Sequence, residues 1–264
     1  MKKLIVILIA SLSVTQGANA QLGLFNHMTV GLNVGTTGIG ADIAMPVTKW
    51  FDVQAGITAM PRFKYNTNVH LNLPFSEIYT FLPQQDLTNL SDIPVQAKPT
   101  MLNGKVMINF MPLVISSFHI TVGAYFGGSD VIEVYNKNEG QLMPITQANT
   151  IIRNNNLPTN EIGLKFGDYL LTPDAQGNVK ATVRTKSFKP YVGIGFGRAV
   201  TKLKPIGFKF DLGVIIWGTP DVVDHNGMVL PKQDWESENG GVFKVISRFK
   251  VYPVLNFRLC GKIF

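Results

Sequence analysis

Acidic and histidine side chains lie close together at one place in the sequence, as Asp221, Asp224 and His225. Carboxylates beside an imidazole can act as general acid and base or bind a metal ion. A hydrolase or lipid-modifying enzyme is therefore one alternative function. No nucleophile or further ligand accompanies these residues, so we expect no enzyme activity, no catalytic or metal-binding residue and no cofactor. His119 is predicted to be a hydrogen-bonded structural residue.

A second set of charged residues alternates with glycine or apolar residues along predicted strands. It consists of Asp52, Lys105, Lys209, Asp211 and Arg258. Side chains two residues apart share one face of a strand, which predicts that these charges point into one lumen. Eight strands leave room only for their own side chains, so we expect the charges to pair. An unpaired arrangement would instead line a small solute pore, which is the other alternative function.

Glycine motifs and the lone cysteine add little chemistry. The motif Gly35-x-x-Gly38-x-Gly40 and the alternating glycines within 193–197 could suggest phosphate loops. Neither motif opens a predicted helix, so glycines on a tight inner face are the better interpretation. The single cysteine, Cys260, excludes a disulfide framework and a cysteine-based zinc site.

The chain that must position these residues is predicted to be all-β. Apolar residues alternate with glycine, polar or charged residues, most clearly in 208–217, and this period of two is typical of strands with two different faces. The predicted strands are eight: 28–35, 38–47, 51–63, 100–111, 118–127, 187–198, 206–217 and 251–264.

The connections between these strands alternate between short and long, the long ones covering 64–99, 128–186 and 218–250. Together with an even strand number, this is typical of a closed antiparallel transmembrane β-barrel with long extracellular loops. Ten strands would result if 163–171 and 178–186 formed an added pair. A soluble lipocalin-like barrel or a β-sandwich would need apolar side chains inside and charges outside. The nearly uncharged apolar faces favour contact with lipid.

The amino-acid composition indicates a protein surface with few charged residues. Only 16% of the 264 residues are charged and 45% are apolar, whereas about a quarter of a soluble domain is charged. Beyond the N-terminus no run approaches the roughly 20 apolar residues of a helical membrane span. Lysines and arginines are scattered and form no basic stripe, so nucleic-acid binding is not supported.

The N-terminus predicts export. Lys2 and Lys3 precede an apolar run over 4–14, followed by Ala18-Asn19-Ala20, which is the pattern of a secretory signal peptide. We therefore expect residues 1–20 to be a signal peptide and residues 21–264 to form the barrel domain. Loss of the two lysines lowers the formal net charge from +7 to +5.

The long connections contain further predicted elements. A short helix is expected over 147–154, a hairpin from 168–171 and 179–185, and a helical segment over 241–250 that caps or plugs one end. Aromatic residues near the predicted strand ends suggest two interfacial girdles: Trp50, Phe51 and Phe118 at the short turns, and Trp217 and Tyr65 at the long loops.

Three stretches resemble outer-membrane β-barrel proteins of Bacteroidota: 189–198 (KPYVGIGFGR), 210–213 (FDLG) and 252–264. The resemblance covers barrel strands only. It implies a small outer-membrane barrel of the OmpA, OmpX or OmpW type with both termini in the periplasm. The expected partners are outer-membrane lipid and lipopolysaccharide, the barrel-assembly machinery during biogenesis and an unknown extracellular partner. No peptidoglycan-binding domain is expected after Phe264.

Outer-membrane barrels usually carry a C-terminal assembly signal, which is a terminal aromatic residue with apolar residues at every second position before it. The C-terminus of this chain departs from that pattern. The positions before Phe264 are instead Lys262, Cys260 and Arg258. The apolar set is displaced by one residue: Ile263, Leu259, Phe257 and Leu255. A β-bulge near 260–261 would restore the phase, and regular pairing through Gly261 would contradict it.

The sequence thus predicts a non-enzymatic outer-membrane barrel. Its expected role is to support the envelope or to contact external partners through its long loops, because loops carry most recognition sites on rigid scaffolds.

Overall fold

The computed structural model describes residues 28–70, 92–113, 116–157, 161–166, 169–200, 205–230 and 250–263. Its elements in chain order are β1 (Thr29–Gly35), β2 (Gly38–Pro46), β3 (Phe51–Ala59), β4 (Tyr65–His70), β5 (Asp92–Pro99), β6 (Leu102–Phe110), β7 (Phe118–Gly127), β8 (Asp130–Asn136), α1 (Met143–Asn154), β9 (Leu164–Phe166), β10 (Tyr169–Leu171), β11 (Lys180–Arg184), β12 (Phe188–Gly197), β13 (Ile206–Ile216), β14 (Asp221–Asp224) and β15 (Val251–Lys262). The predicted signal peptide and residues 241–249 of the predicted helical segment 241–250 lie outside the described residues.

Eight antiparallel strands close into a barrel in the order β1-β15-β13-β12-β7-β6-β3-β2, with β2 pairing back to β1. They are the eight strands that the alternation predicts, which confirms the fold class. The added pair that would have made ten strands is wrong, because β9 pairs only with β10 in a separate two-stranded sheet and β11 belongs to a third sheet.

The barrel is apolar outside and polar inside. Along β15 the outward residues Leu255, Phe257 and Leu259 are 37–53% exposed, while Asn256 and Arg258 are buried. The same alternation holds along the other barrel strands, as in β13, where Leu212 is exposed and Asp211 is buried. A soluble barrel or sandwich would show the reverse, so that alternative does not fit this structure.

Pairing at the C-terminal strand is regular. Val30 and Ile206 both pair with Gly261, and Thr29 pairs with Lys262, without a shift of register. The proposed bulge near 260–261 is therefore wrong. The outward set simply follows the odd-numbered positions to Ile263, which is exposed; Phe264 lies outside the described residues.

The two ends of the barrel differ. At one end, called the terminus end, β1 begins, β15 ends and the connections 47–50, 111–117 and 198–205 are short. At the other, the loop end, β1 turns tightly into β2, while three long connections carry every remaining element.

These long connections fold into a structured cap. Five strands form a sheet in the order β14-β11-β8-β5-β4, and α1 and the β9–β10 hairpin accompany it. The cap has an apolar core of its own, formed by Ile93, Val95, Leu142, Ile145, Ala148, Ile152, Ile162, Leu171, Val179, Ala181, Val183, Val222 and Leu230. The predicted helix is present and begins earlier, at Met143.

The predicted hairpin between 168–171 and 179–185 is wrong. Strand β10 pairs with β9, whereas β11 lies between β8 and β14. Strands that are adjacent in sequence often pair, but β11 takes its partners from two other parts of the chain.

No helix among the described residues is long and apolar enough to cross a membrane.

Candidate functional site

The polar lumen contains two clusters of charged side chains. The first is centred on Asp42, which lies on the inward face of β2 and is buried. Its carboxylate accepts hydrogen bonds from Arg258 Nε at 2.5 Å and Lys105 Nζ at 2.9 Å, so two cations share one anion. Asn33 Nδ2 at 2.9 Å and Gln54 Nε2 at 2.6 Å also donate to it.

The second cluster is centred on Asp211 of β13. Lys209 Nζ lies 2.7 and 2.9 Å from its two carboxylate oxygens, and His119 Nε2 lies 2.9 Å from Oδ1. The other ring nitrogen of His119 faces the carbonyl oxygen of Gly197 at 3.1 Å. Both ring nitrogens therefore lie within hydrogen-bonding distance of oxygen atoms. Every group is buried, so the bonds act in a medium of low polarity.

Gln54 connects the two clusters. Its amide nitrogen donates to Asp42, and its amide oxygen accepts from Lys209 Nζ at 3.4 Å. The two clusters therefore form one network that crosses the barrel.

A glycine on one strand allows charged side chains on the two flanking strands to reach each other across it. Gly56 pairs with Asp42 on one side and with Lys105 on the other, and Gly195 similarly lies between His119 and Asp211. A β-carbon at Gly56 would lie 2.3 Å from the Asp42 β-carbon, and one at Gly195 would lie 2.5 Å from His119 Nε2. The alternating glycines of the sequence thus leave space for charged side chains to reach across a strand.

All five residues predicted for the lumen network point inward and are buried. Lys105 and Arg258 meet Asp42, and Lys209 meets Asp211. Asp52 lies nearer the terminus end, where the Asn109 amide donates to it, and it forms no ion pair among the described residues. Sequence reasoning missed Asp42, although its alternation with Gly40 and Ala44 in a predicted strand placed it on the inner face.

The first residues after β12 contact the inner face of the barrel at the terminus end. Ala199 and Val200 are buried, and the Ala199 carbonyl accepts hydrogen bonds from Arg258 Nη1 at 2.7 Å and Thr29 Oγ1 at 2.6 Å. The neighbouring Arg198 guanidinium donates to the Ser116 carbonyl at 3.1 Å. Residues 198–200 therefore lie at the terminus end of the barrel, and Ala199 is hydrogen-bonded to the lumen network.

Apolar and aromatic side chains fill the loop end of the lumen. They are Met101, Met107, Tyr125, Val131, Tyr191, Ile215, Trp217 and Val254, with Tyr252 packed against them. The rings of Tyr125 and Tyr191 meet edge to face, 5.8 Å between centroids. The prediction that Trp217 belongs to an outer girdle is wrong, since Trp217 is 6% exposed and stacks near Tyr252 inside the barrel end.

Little free volume remains between these groups. A cavity between the charged network and the two tyrosines measures about 10 Å³, room for about one water molecule. The side chains of the described residues therefore occupy most of this part of the lumen.

The residues considered for catalysis, Asp221, Asp224 and His225, lie in the cap, where Asp224 stabilises a turn. Asp224 Oδ1 accepts hydrogen bonds from the backbone N–H groups of Asn226 and Met228, both at 2.8 Å, which fixes the turn after β14. Among the residues that the structure describes, no group of three histidine, cysteine or acidic side chains could hold a metal ion.

The cap sheet presents a charged face opposite its apolar core. Lys180 Nζ lies 2.8 Å and Lys98 Nζ 4.0 Å from the Glu133 carboxylate, and Arg184 Nε lies 2.7 Å from Asp130 Oδ1. These pairs are partly exposed and add little stability, so the face is available for polar contacts.

Comparison with solved structures gives distant likenesses. The chain aligns with CarO2 of Acinetobacter baumannii at 12% identity and a TM-score of 0.47, covering 89% of this chain and 98% of that one. It aligns with CarO of the same organism at 15% identity and 0.45, covering 88% and 96%. A major outer membrane protein from Thermus thermophilus aligns at 11% identity and 0.34, covering 90% and 98%.

Neither a protein-family model nor a curated protein matches this sequence. At such low similarity the three structures carry no argument about function, and the architecture rests on the strand pairing described above.

Proposed function

We propose that the protein is a closed, non-enzymatic outer-membrane β-barrel whose function resides in its cap. The observation that carries this proposal is the combination of an apolar exterior with a filled lumen. An apolar band outside and satisfied charges inside suit a lipid environment, where backbone groups need the internal pairing that a closed barrel provides.

The cap supports a role in surface contact. Three separate connections contribute to one folded unit with its own core, which is more order than a merely solvated loop requires. A groove of about 620 Å³ lies between α1 and the loop residues Pro173, Asp174 and Ala175, and Gln147 and Arg153 are among its lining residues. An extracellular partner would meet this rigid surface at little cost in conformational entropy.

The closed lumen predicts an electrically silent barrel. The refolded protein in a planar bilayer should give no stable conductance steps, because the network, Tyr125 and Tyr191 leave about 10 Å³ between them. Heat-modifiable gel mobility on the same preparation shows whether the barrel has formed. Reproducible single-channel steps from folded protein would contradict a closed barrel and favour the alternative of a small solute pore.

The orientation predicts which end of the barrel faces the exterior. With the termini in the periplasm, Asn226→Cys in the cap should react with a membrane-impermeant maleimide on intact cells. Lys49→Cys in a terminus-end turn should react only after lysis. Native Cys260 is buried and gives little background. Labelling of position 49 but not of 226 on intact cells would reverse the proposed orientation, and labelling of neither after lysis would contradict exposure of both loops.

A further inference from the structure

Two exposed lysines lie at the loop end of the barrel, where β12, β13 and β15 lie side by side. The backbone N–H of Lys186 donates to the Trp217 carbonyl at 3.4 Å, and the N–H of Gly218 donates to the Lys250 carbonyl at 3.3 Å. Residues 64 positions apart in the sequence thus flank the same strand end. Both side chains are exposed.

Gly218, just after β13, leaves room for the side chain of Lys186 to lie across the end of this strand. It adopts a φ of +81°, a conformation that side-chain-bearing residues rarely take. A β-carbon here would lie 3.2 Å from Lys186 Cε and 3.5 Å from its Cδ. The aliphatic stem of Lys186 therefore packs over Gly218, towards the strand that begins after Lys250.

No described carboxylate neutralises the pair. Glu133, Asp130, Asp42 and Asp211 are each engaged with other cations, and neither lysine forms an ion pair among the described residues. Lys186 precedes β12 and Lys250 precedes β15, the two strands that flank β13, so both cations attract an anion bound at this strand end.

The apolar band begins directly below this pair. Phe188, Ile216 and Val251, the first or last residues of the three strands, are 42–56% exposed on the outer face. Cations immediately above a lipid-facing band lie at the depth of lipid headgroups, where each contributes to binding of anionic lipid.

We propose that Lys186 and Lys250 form a binding site for the phosphate groups of outer-leaflet lipid, such as the phosphorylated lipid A portion of lipopolysaccharide. This inference rests on the proposed outer-membrane location. It places one lipid-binding site at the loop end of the barrel. There the two lysines bind the phosphate, and the outer faces of the three strands contact the acyl chains.

The test compares binding of diphosphoryl lipid A and its dephosphorylated form to the refolded full chain in detergent, by native mass spectrometry. The unmodified protein should bind the phosphorylated form about tenfold more tightly, and Lys186→Gln/Lys250→Gln should lose that difference. Lys186→Arg/Lys250→Arg should keep it. The matched control Lys137→Gln/Lys180→Gln removes the same charge from the cap, away from the apolar band, and should also keep it.

Two results would overturn the site. One is equal selectivity of Lys186→Gln/Lys250→Gln and the unmodified protein; the other is displacement of lipid A by millimolar inorganic phosphate, which would indicate a site for free phosphate. Heat-modifiable mobility and insertion into vesicles are recorded for every variant. Failure of the unmodified protein to insert would contradict the proposed membrane location, whereas a barrel that inserts without phosphate selectivity would contradict the lysine site alone.

Discussion

Replacing Asp42 by alanine should destabilise the barrel by about 3–5 kcal/mol, because Lys105 and Arg258 would remain buried without the carboxylate that they share. Asn33 and Gln54 would also lose their acceptor. The measurement is equilibrium unfolding in urea of the protein refolded into vesicles, followed by tryptophan fluorescence.

Asp130→Ala is the matched control for this prediction. It removes one carboxylate from a pair with Arg184 in which both side chains are about 40% exposed, and should cost about 0–1 kcal/mol. A loss below about 1 kcal/mol in Asp42→Ala would show that the lumen is hydrated enough to solvate the two cations, and would contradict the filled interior.

The second large effect is expected on the outer face. Leu212→Arg places a charge midway along β13, where Leu212 is half exposed and pairs with Leu255 and Ile194. At the bilayer midplane such a charge costs about 2–4 kcal/mol. We therefore expect the variant to refold poorly into vesicles and to unfold at lower urea concentration.

Ile216→Arg provides the comparison on the same strand and the same face. This residue lies at the loop end, where the cost of a charge falls to about 0–1 kcal/mol. If the outer face met water instead of lipid, both substitutions would change stability by only about 0.5 kcal/mol. Equal and small effects at 212 and 216 would therefore contradict the membrane assignment.

The barrel strands could be predicted closely from the sequence. Alternation is a local property, and in a barrel with opposite faces it is strong: Phe208, Leu212 and Ile216 against Lys209 and Asp211 fix both the element and its inner side. The strand order then follows, because consecutive antiparallel strands joined by short turns are neighbours.

The pairing inside the lumen could not be predicted in the same way. Asp42 and Asp52 both point inward, yet only Asp42 meets cations. The difference depends on register: Asp42 shares a row with Gly56 and Lys105, whereas Asp52 shares one with Asn109. A row across several strands is a long-range property that alternation within one strand does not contain.

The cap is the part that the sequence predicts least well, for a related reason. Its sheet draws β4 and β5 from one connection, β8 and β11 from another and β14 from a third. Helix α1 is predictable because its periodicity is local, while the partners of β11 depend on how three loops meet.

The ion pair between Arg258 and Asp42 spans β1, the strand at which the chain closes on itself, and joins residues 216 positions apart. It can form only after the first and last strands have met, so an open sheet with two free edges holds neither the pair nor the hydrogen bond from Thr29 of β1 to the Ala199 carbonyl. Charges on that sheet would have to remain hydrated until the final hydrogen bonds form. Barrel closure and dehydration of the lumen are therefore expected to occur in one cooperative step, with few half-closed molecules at equilibrium.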